Sequence, residues 1–425
     1  MVGKEIHDLA KSLWGINRSL SGEGVRQTLE VIKTVIPNLK ICEAASGTAV
    51  FDWTIPQEWK VNAAYIIAPD GSKICDFSVN NLHLMGYSES FKGTLSLQEL
   101  NDRLYSLEDQ PEAIPYVTSY YSRNWGFCIS HNQRSLLKEG DYRVFIDAEH
   151  FDGVLNYGEL LIPGAEQKEV LLSTYICHPS MANNELSGPC VTTYLAKKIS
   201  EIENLRYTYR IVFLPETIGS IIYLSKNLKH LQQNVIAGFN ISCIGDERNY
   251  SYLPSRQGNS LSDRVAVAIL SNLAPEFIKY TWLDRGSDER QYCAPGVDLP
   301  IASIMRTKYG EFPEYHTSLD NLEDVVTPVG LEGGYQAILK SIELLEKNNV
   351  YNSVNFCEPN LGKRGLYPTI STKAQNKKVR TLTNFLSYCD GTNDLIDIAI
   401  KIKVPVWELY EIVEQLLENR LIEQS

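Results

Sequence analysis

The most informative stretch of the chain is Cys177-His178-Pro179-Ser180-Met181-Ala182-Asn183-Asn184-Glu185-Leu186-Ser187-Gly188, which places a histidine between an apolar run and a helical pattern. The apolar run, residues 170–176, has the composition of a buried strand, and the pattern from Leu186 to Ile199 is typical of a helix. Open α/β sheets bind their ligands outside the carboxyl ends of the strands, where helices begin. His178 is therefore the first candidate for a functional side chain.

Strands and helices alternate from this stretch to about residue 347. The runs that predict strands are residues 170–176, 209–214, 235–242 and 300–306. Alternation of this kind is typical of parallel sheets with helices on both faces. The sequence therefore predicts an α/β fold built on a doubly wound, mostly parallel sheet.

The segment before this alternation has a different texture. Residues 5–36 carry a helical pattern, whereas residues 46 to about 155 are rich in predicted strands. Asp70-Gly71 and Asp152-Gly153 each lie between two apolar runs, so we predict a hairpin turn at both places. The β-rich segment is thus expected to be an insertion in the α/β domain.

The C-terminal part changes character again. Three short helical patterns and a brief β-like tail resemble a winged helix. The sequence therefore predicts three domains: an α/β domain formed by residues 1–45 and 156–350, an inserted β-rich domain of residues 46–155, and a winged-helix-like domain of residues 360–425.

Composition limits the possible classes of function. The 425 residues carry a formal net charge of −12, and the third helix of the predicted winged helix, residues 406–418, has an acidic polar face. Binding to nucleic-acid phosphates needs Lys and Arg, so we expect no nucleic-acid partner and assign the module to docking or to a homo-oligomer. No run approaches about 18 apolar residues, and the first residues lack an apolar signal core, so we expect no membrane partner. Nine cysteines without a CxxC pair predict free thiols in a reducing compartment, which indicates a cytoplasmic protein.

Chemically useful side chains follow the predicted strands. They are His178, Glu216, Asp246 and His316. Imidazole and carboxylate groups suit Zn²⁺, and a carboxylate that stays unligated can accept a proton from metal-activated water. Glu216 follows a buried strand, where an unpaired carboxylate is costly, so it is either paired structurally or catalytic, and we favour catalysis. Asp246 also has a structural interpretation, because loop aspartates often cap turns.

Five motifs occur in a specific order and spacing along the chain. They are Cys177-His178-Pro179-Ser180, Ala182-Asn183-Asn184-Glu185-Leu186-Ser187-Gly188, Pro215-Glu216-Thr217-Ile218-Gly219-Ser220, Gly286-Ser287-Asp288-Glu289 and Tyr315-His316-Thr317. This series resembles the bacterial aminopeptidase-like branch of the co-catalytic zinc exopeptidases, and the resemblance covers nearly the whole chain, including the inserted domain and the winged helix. The resemblance implies zinc-dependent removal of the N-terminal residue from a peptide. His178 and His316 would then ligate zinc, Asp246 would be a further ligand, and Glu216 would be the general base.

Two positions depart from the pattern of the two-zinc relatives. Those relatives carry a bridging aspartate where this chain has Asn184, and a second, ligating glutamate where it has Thr217. An amide is neutral and offers one good oxygen, so Asn184 would be a poor metal ligand. We therefore predict one zinc ion at most, or a site that binds metal weakly. Asn240 lies nearer than Asp246 to the point where other relatives carry an aspartate, so the assignment between these two positions stays open.

Candidate substrate-binding residues come from two sources, the resemblance and the aromatic side chains of the sequence. The resemblance implies that Asp288 and Glu289 line the substrate pocket and receive a free α-amino group. Tyr309, together with Arg306, is a candidate to steady an oxyanion. The aromatic segment of residues 116–125, which includes Tyr121, either closes over the cleft and binds substrate or forms an ordinary packed sheet face.

Three hypotheses of function follow. The first is a zinc-dependent aminopeptidase with Glu216 as general base, which acts on a peptide. The second is a related metal-assisted hydrolase that cleaves a small non-peptide amide, such as an N-acylated sugar or lipid intermediate. The third is a catalytically degraded protein that binds a ligand or partner through the same cleft.

Overall fold

The computed structural model describes residues 2–366 and 373–425. Met1 and residues 367–372, which fall within the first and the last predicted domains, lie outside the described residues. The chain begins with helices α1 (Val2–Leu13) and α2 (Glu23–Val35), and strand β1 (Lys40–Ala45) follows. Each helix buries one apolar stripe, which is the pattern of a surface helix packed on a core.

An antiparallel sheet dominates the inserted region. The elements there are β2 (Ala49–Val50), β3 (Trp53–Thr54), β4 (Glu58–Ile67), β5 (Lys73–Ile74), β6 (Phe91–Ser96), α3 (Leu97–Asn101), β7 (Leu104–Tyr105), β8 (Phe127–Cys128), α4 (His131–Arg134) and β9 (Asp141–Phe151). The main sheet has the strand order β5-β4-β9-β6. Asp70-Gly71 forms the predicted hairpin turn, because β4 and β5 pair antiparallel on either side of it.

The central region alternates strands and helices around one large sheet. Its elements are β10 (Val154–Ile162), β11 (Glu169–Tyr175), α5 (Ser187–Ser200), β12 (Thr208–Leu214), α6 (Ile218–Asn234), β13 (Val235–Asn240), β14 (Ser251–Leu253), α7 (Leu261–Leu273), β15 (Ile278–Lys279), α8 (Glu289–Tyr292), β16 (Ile301–Met305) and α9 (Pro328–Lys347). The strand order is β1-β10-β12-β11-β13-β16-β14-β15. The four strands in the centre, β12, β11, β13 and β16, are parallel, and antiparallel pairs flank them on both sides. The predicted α/β fold is confirmed, with antiparallel borders that the sequence did not indicate.

The hairpin predicted at Asp152-Gly153 is wrong. β9 belongs to the inserted sheet, whereas β10 pairs with β1 and β12 in the central sheet. Asp152-Gly153 is thus the point where the chain returns from the insertion to the α/β domain. A short turn signal between two apolar runs has the same sequence signature in both cases.

The buried central strands supply two cores. Val170 and Leu172 of β11 pack in a core with α1, α2, α5, α7 and α9, whereas Leu171 joins a core with α6 and the inserted sheet. Burial on both faces explains why these strands are continuous apolar runs. At the start of α5, a Cβ atom on Gly188 would lie 2.5 Å from the carbonyl oxygen of Ile241. Glycine therefore lets this helix begin directly against the strand ends.

The C-terminal region forms a small three-stranded sheet with helices. Its elements are β17 (Val350–Ser353), α10 (Lys373–Leu386), β18 (Asp390–Asp394), α11 (Leu395–Ile402), α12 (Tyr410–Glu418) and β19 (Ile422–Gln424). Its third helical segment packs on α9: Lys340 lies over the Trp407 ring at 4.9 Å, and Lys347 forms an ion pair of 2.9 Å with Glu414. One side of this helical segment therefore contacts α9, whereas the glutamates of its acidic face, Glu408, Glu411, Glu414 and Glu418, are exposed. Across the described residues, no helix has both the length and the apolar character needed to cross a bilayer.

We predict that this C-terminal region unfolds together with the α/β domain. Leu409 is fully buried, and its cluster is continuous with the core around α9. Leu409→Ala should cost about 2–5 kcal/mol and lower one shared thermal transition, whereas Ile400→Ala, at a side chain that is 61% exposed, should change it little. Circular dichroism and tryptophan fluorescence would follow the unfolding. Two separate transitions, of which only one responds to Leu409→Ala, would contradict a shared core.

Candidate active site

The structure brings three of the predicted residues together at the carboxyl end of the parallel strands. His178 follows β11 and Glu216 follows β12, and the distance from Nε2 of His178 to Oε2 of Glu216 is 3.8 Å. The ring centroids of His178 and His316 are 5.6 Å apart. His178 is 3% exposed, and the Glu216 side chain is 23% exposed. These three side chains form the centre of the candidate site.

Asp320 joins the two loops that carry the histidines. Its carboxylate accepts hydrogen bonds from the backbone N–H groups of Asn183 (2.7 Å) and Asn184 (2.9 Å), and its carbonyl accepts one from Ala182 (2.9 Å). Residues 182–186 form a π-helical turn, and such turns are frequent at functional sites. Asp320 lies four residues after His316, so it ties the turn after one histidine to the loop of the other. Sequence reasoning did not assign this role, because no local pattern shows the partner.

The inserted domain contributes Tyr116 to the site. Its ring centroid lies 5.3 Å from that of His178 and 5.1 Å from that of His316, and its backbone N–H donates to the carbonyl of His316 (2.8 Å). Its hydroxyl contacts that of Tyr120 (2.5 Å). The start of the aromatic segment thus lies over the two histidines, whereas Trp125 near its end packs on Phe91 with ring centroids 4.2 Å apart.

Tyr121 lies farther out than Tyr116. It is 53% exposed, and its ring packs edge-on against Trp53 with centroids 5.6 Å apart. It borders a cavity of about 240 Å³ whose lining also includes Gln57, Tyr87, Tyr120, Arg123 and His150. The predicted substrate contact at Tyr121 would therefore lie at this neighbouring cavity and not against the histidines.

Asp246 is engaged by structural hydrogen bonds. Its Oδ2 accepts from Nδ2 of Asn183 (3.0 Å) and from the backbone N–H of Thr307 (2.9 Å), and its Oδ1 accepts from the Thr307 hydroxyl (2.9 Å) and the backbone N–H of Arg248 (2.8 Å). Both oxygens are thus used. This arrangement favours the structural interpretation of Asp246 over the metal-ligand one.

Asn184 and Asn240, the two amide side chains at or near positions where relatives carry acidic ligands, also have polar partners. Oδ1 of Asn184 accepts from the Tyr175 hydroxyl (3.0 Å), and Nδ2 of Asn240 donates to Glu289 (2.9 Å). Within the described part of the chain, Nδ2 of Asn184 and Oδ1 of Asn240 are buried without a hydrogen-bond partner. Neither side chain presents an anionic ligand to a cation.

Glu289 and Tyr309 satisfy each other. Oε1 of Glu289 accepts from the Tyr309 hydroxyl (2.6 Å) and from the backbone N–H groups of Gly286 (2.8 Å) and Ser287 (2.9 Å). Since the Tyr309 proton is used in this bond, the structure does not favour the predicted role of Tyr309 at an oxyanion. Glu289 is fully buried, so it is also poorly placed to receive a substrate amine.

Asp288 lies beside Glu216, and only one of its two carboxylate oxygens accepts hydrogen bonds. Its Oδ1 accepts from the backbone N–H of Thr217 (2.7 Å) and the hydroxyl of Ser220 (2.8 Å), whereas Oδ2 is buried without a partner among the described residues. Burial, and then the negative charge of Glu216, raise the pKa of Asp288 to about 8. A carboxyl that is neutral at pH 7 attracts an ammonium group weakly, so the predicted role in binding an α-amine is not favoured.

Sequence reasoning missed two residues behind His178. Oε2 of Glu185 accepts from both the backbone N–H and the Nδ1 of His178, each at 3.0 Å. Nε of Arg18 lies 3.4 Å from Oε1 of Glu185 and donates to the carbonyl of His178 (3.0 Å). Glu185 stands in the motif quoted above, but its direction is set by the π-helical turn. Arg18 is distant in sequence and gave no signal.

The donor types at the site suit zinc, but the ligand atoms of His178, His316 and Glu216 do not all lie within 4.8 Å of one another. Imidazoles at His178 and His316 with a carboxylate at Glu216 are suitable ligands or neighbours for Zn²⁺. Among the described residues, one group of three possible ligand residues has all its ligand atoms within 4.8 Å of one another, namely Cys177, His178 and Glu185. That group does not fit a cation, because Glu185 is already paired with Arg18 and burial raises the pKa of Cys177 to about 11. A second zinc ion would lack the anionic ligands replaced by Asn184 and Thr217.

Comparison with known proteins places the chain in a family. A family described as a domain of unknown function (DUF4910) matches residues 7–348, and one described as winged helix-turn-helix matches residues 349–424. The chain belongs to the DUF4910 family. A Clostridium acetobutylicum relative, provisionally named as a polysaccharide biosynthesis protein with an aminopeptidase-like domain, is 42% identical over 402 residues, which is 94% of this chain and 91% of the relative.

Solved structures agree with the fold of this DUF4910 protein. A crystal structure from Clostridium acetobutylicum, provisionally described as a peptidase, matches with a TM-score of 0.94 and 39% identity, over 100% of this chain and 97% of that chain. A zinc aminopeptidase from Bacillus subtilis matches with a TM-score of 0.57 and 12% identity, over 81% of this chain and 94% of that chain, which shows the fold alone. The aminopeptidase-like fold and the winged-helix domain implied by the resemblance are confirmed.

The protonation states of the DUF4910 site are strongly biased. Burial lowers the pKa of His178 on its own, but Cys177 and Tyr116, and to a smaller extent Glu185, raise this pKa well above its usual value. Burial and the neighbouring His178 lower the pKa of His316 to about 3. Burial raises the pKa of Glu216, although His178 opposes the shift. His178 and Glu216, whose pKa values are both raised, therefore face each other across the cleft, whereas the lowered pKa of His316 favours its neutral form.

We predict that Asp288 makes the fold less stable at alkaline pH. Its folded pKa of about 8 lies above the usual 3.8, so its stabilising contribution is complete below about pH 4 and is lost as the pH rises through about 8. Asp288→Asn mimics the neutral form and should flatten the loss of stability between about pH 6 and 9. Urea unfolding across this range would measure it. Asp284→Asn, at an exposed capping residue whose pKa is lowered, should leave the slope as in the wild type, and an identical slope for Asp288→Asn would contradict the assignment.

Proposed function

We propose that this protein is a zinc-dependent hydrolase of amide bonds, of the aminopeptidase type, with Glu216 as its general base. The observation that carries the proposal is the approach of Glu216 to His178, at 3.8 Å, beside the His316 ring. The aminopeptidase-like domain in the name of the 42% identical relative supports the same chemistry. His178 and His316 would hold the zinc ion.

The mechanism assigns one task to each side chain of the site. Zinc, when bound, supplies Lewis acidity and lowers the pKa of water. Oε2 of Glu216 accepts the proton of the attacking water as the new C–O bond forms, and it returns that proton to the leaving nitrogen as the C–N bond breaks. The raised pKa of Glu216 suits this exchange, because a general base works best when its pKa approaches the working pH. Tyr116 covers the two imidazoles and limits the access of bulk water.

A non-peptide amide is the second candidate substrate. The carboxylates expected to receive an α-amino group do not present a free charge, because Glu289 is saturated by buried donors and Asp288 is biased toward its neutral form. The name of the Clostridium relative refers to polysaccharide biosynthesis, which favours an N-acylated sugar. The cavity beside Tyr121, with its aromatic walls and Arg123, would hold the ring of such a substrate.

Turnover by the zinc-loaded protein tests the proposal. Two substrate panels, aminoacyl anilides with a free amine and N-acyl amino sugars, would be compared by release of aniline and by release of the acid. Glu216→Gln should lower kcat by about 10²–10⁴-fold on the panel that is cleaved, because it removes the proton acceptor. The control Glu203→Gln, at an exposed residue, should retain wild-type activity. If the wild type cleaves neither panel, or if Glu216→Gln keeps full activity, the hydrolase proposal is lost and a binding role remains.

We also predict that Asn184 sets the metal stoichiometry. The wild type should hold about one zinc ion per chain, and Asn184→Asp should raise this toward two, because it restores an anionic ligand. The Tyr175 hydroxyl can donate to either side chain, so the local hydrogen bond should survive the change. Elemental analysis after dialysis would count the zinc. An unchanged ratio would show that the second position is not latent in this chain.

A further inference from the structure

We infer that Glu185, held by Arg18, is a positioning residue that fixes the ring of His178 for its role in the site. The orientation of the ring can be tested without any assumption about function. Its consequence for zinc binding and turnover rests on the function proposed above.

The hydrogen bonds of Glu185 determine which nitrogen of His178 faces the cleft. A carboxylate carries no proton, so it accepts from the Nδ1–H of His178 at 3.0 Å and from the backbone N–H of the same residue at 3.0 Å. With Nδ1 bound as a donor, Nε2 is the nitrogen that points toward Glu216. Two bonds from one residue to the same oxygen fix both the tautomer and the rotation of the ring. Carboxylates that bind the second nitrogen of a histidine in this way tune its affinity for metals.

Arg18 holds Glu185 from the opposite side. Both side chains are completely buried, and Nε of Arg18 lies 3.4 Å from Oε1 of Glu185, which makes an ion pair without a hydrogen bond. Arg18 also donates to the carbonyls of His178 (3.0 Å) and Leu13 (2.8 Å), so the guanidinium spans from the end of α1 to the site. A buried ion pair is weak evidence for stability, because desolvation of both charges offsets their attraction. The Arg18–Glu185 ion pair is better explained by the orientation that it gives to His178.

The backbone around Glu185 supports the same interpretation. Glu185 lies in the π-helical turn of residues 182–186, whose backbone N–H groups are bound by Asp320. A π-helical turn is uncommon and is less favourable than regular helix, so it persists where it places a particular side chain. The turn and the buried ion pair therefore have one explanation in common.

A second Arg–Glu–His cluster in the same fold provides a matched control. Arg210 donates to Glu169 through Nε (2.6 Å), and Nε2 of His230 lies 2.7 Å from the same carboxylate. Glu169 opens β11, whereas His178 follows the end of this strand, so the two clusters lie at opposite ends of the sheet. The His230 side chain is 49% exposed. Glu169→Gln thus removes a buried charge from an arginine-bound glutamate without touching the candidate site.

The experiment compares Glu185→Gln with Glu169→Gln in the full-length protein. The side-chain amide cannot accept from Nδ1 and face Arg18 without placing its NH₂ donors against the guanidinium. We therefore expect the Nδ1–H signal of His178 in the zinc-free protein, seen by NMR with ¹⁵N-labelled histidine and assigned with His178→Gln, to be lost or shifted in Glu185→Gln. Zinc affinity, measured by competition with a chromogenic chelator, should fall about 10–100-fold, and kcat should fall more than KM rises. Glu169→Gln should lower the unfolding temperature but leave all three readouts unchanged.

Glu185→Asp keeps the negative charge beside Arg18, so this variant replaces Glu185→Gln in the experiment if Glu185→Gln does not fold. It withdraws the carboxylate from Nδ1 by about 1.5 Å, the length of one carbon–carbon bond, so the same loss of the His178 signal is expected. A folded Glu185 variant with an unchanged ring signal and a zinc affinity within about threefold of the wild type would overturn the inference. If the wild type shows no hydrolysis, the proposed function fails, yet the ring signal still decides the role of Glu185.

Discussion

The candidate site depends on the hydrogen bonds between Asp320 and the backbone of Asn183 and Asn184. These bonds connect the turn after His178 to the loop of His316, two segments separated by more than a hundred residues. Without them, nothing in the order of the strands alone would bring the two rings to a separation of 5.6 Å. Burial raises the pKa of Asp320 to about 7, even though two N–H groups favour its carboxylate form. The link is thus maintained against a cost in solvation, which is consistent with a requirement of the site.

Strained backbone occurs at the same strand ends, as it does at nine other non-glycine residues of the described chain. Ser180, Thr217, Cys243 and His316 have positive φ angles of 42°, 65°, 47° and 56°, a region that side chains other than glycine rarely adopt. Each such residue costs on the order of 1–3 kcal/mol and persists where the surrounding structure imposes it. Here the surroundings are two buried cores and the start of α5, which Gly188 lets approach the strands. The stable α/β scaffold therefore supports a locally unfavourable backbone that aims the site residues.

The part of the site that could be predicted from sequence is the part set by local pattern. An apolar run followed by a histidine or a glutamate places that side chain at a known edge of the sheet, so His178 and Glu216 could be located before the structure. Glu185 and Arg18 could not, because their pairing depends on a contact across more than 160 residues and on a π-helical turn without a sequence signature. The hairpin predicted at Asp152-Gly153 was wrong for a related reason, because a turn signal does not reveal whether the next strand stays in the same sheet. Asp246 is a loop aspartate whose structural role depends on Thr307, a residue from a distant loop.

Charge compensation distinguishes Glu216 from the other buried acids around the cleft. Glu185 is paired with Arg18, Asp320 and Asp246 accept two and four hydrogen bonds at their carboxylates, Glu289 is saturated by donors, and the raised pKa of Asp288 favours its neutral form. Glu216 instead directs an oxygen toward Nε2 of His178 at 3.8 Å, which is too long for a hydrogen bond and leaves room for a shared cation or water. Two divalent cations would need further anionic ligands, whereas one carboxylate beside two imidazoles suits one cation at most. The replacement of acidic ligands by Asn184 and Thr217 therefore agrees with the rest of the local electrostatics, and both are consistent with the proposed role of Glu216 as a single general base.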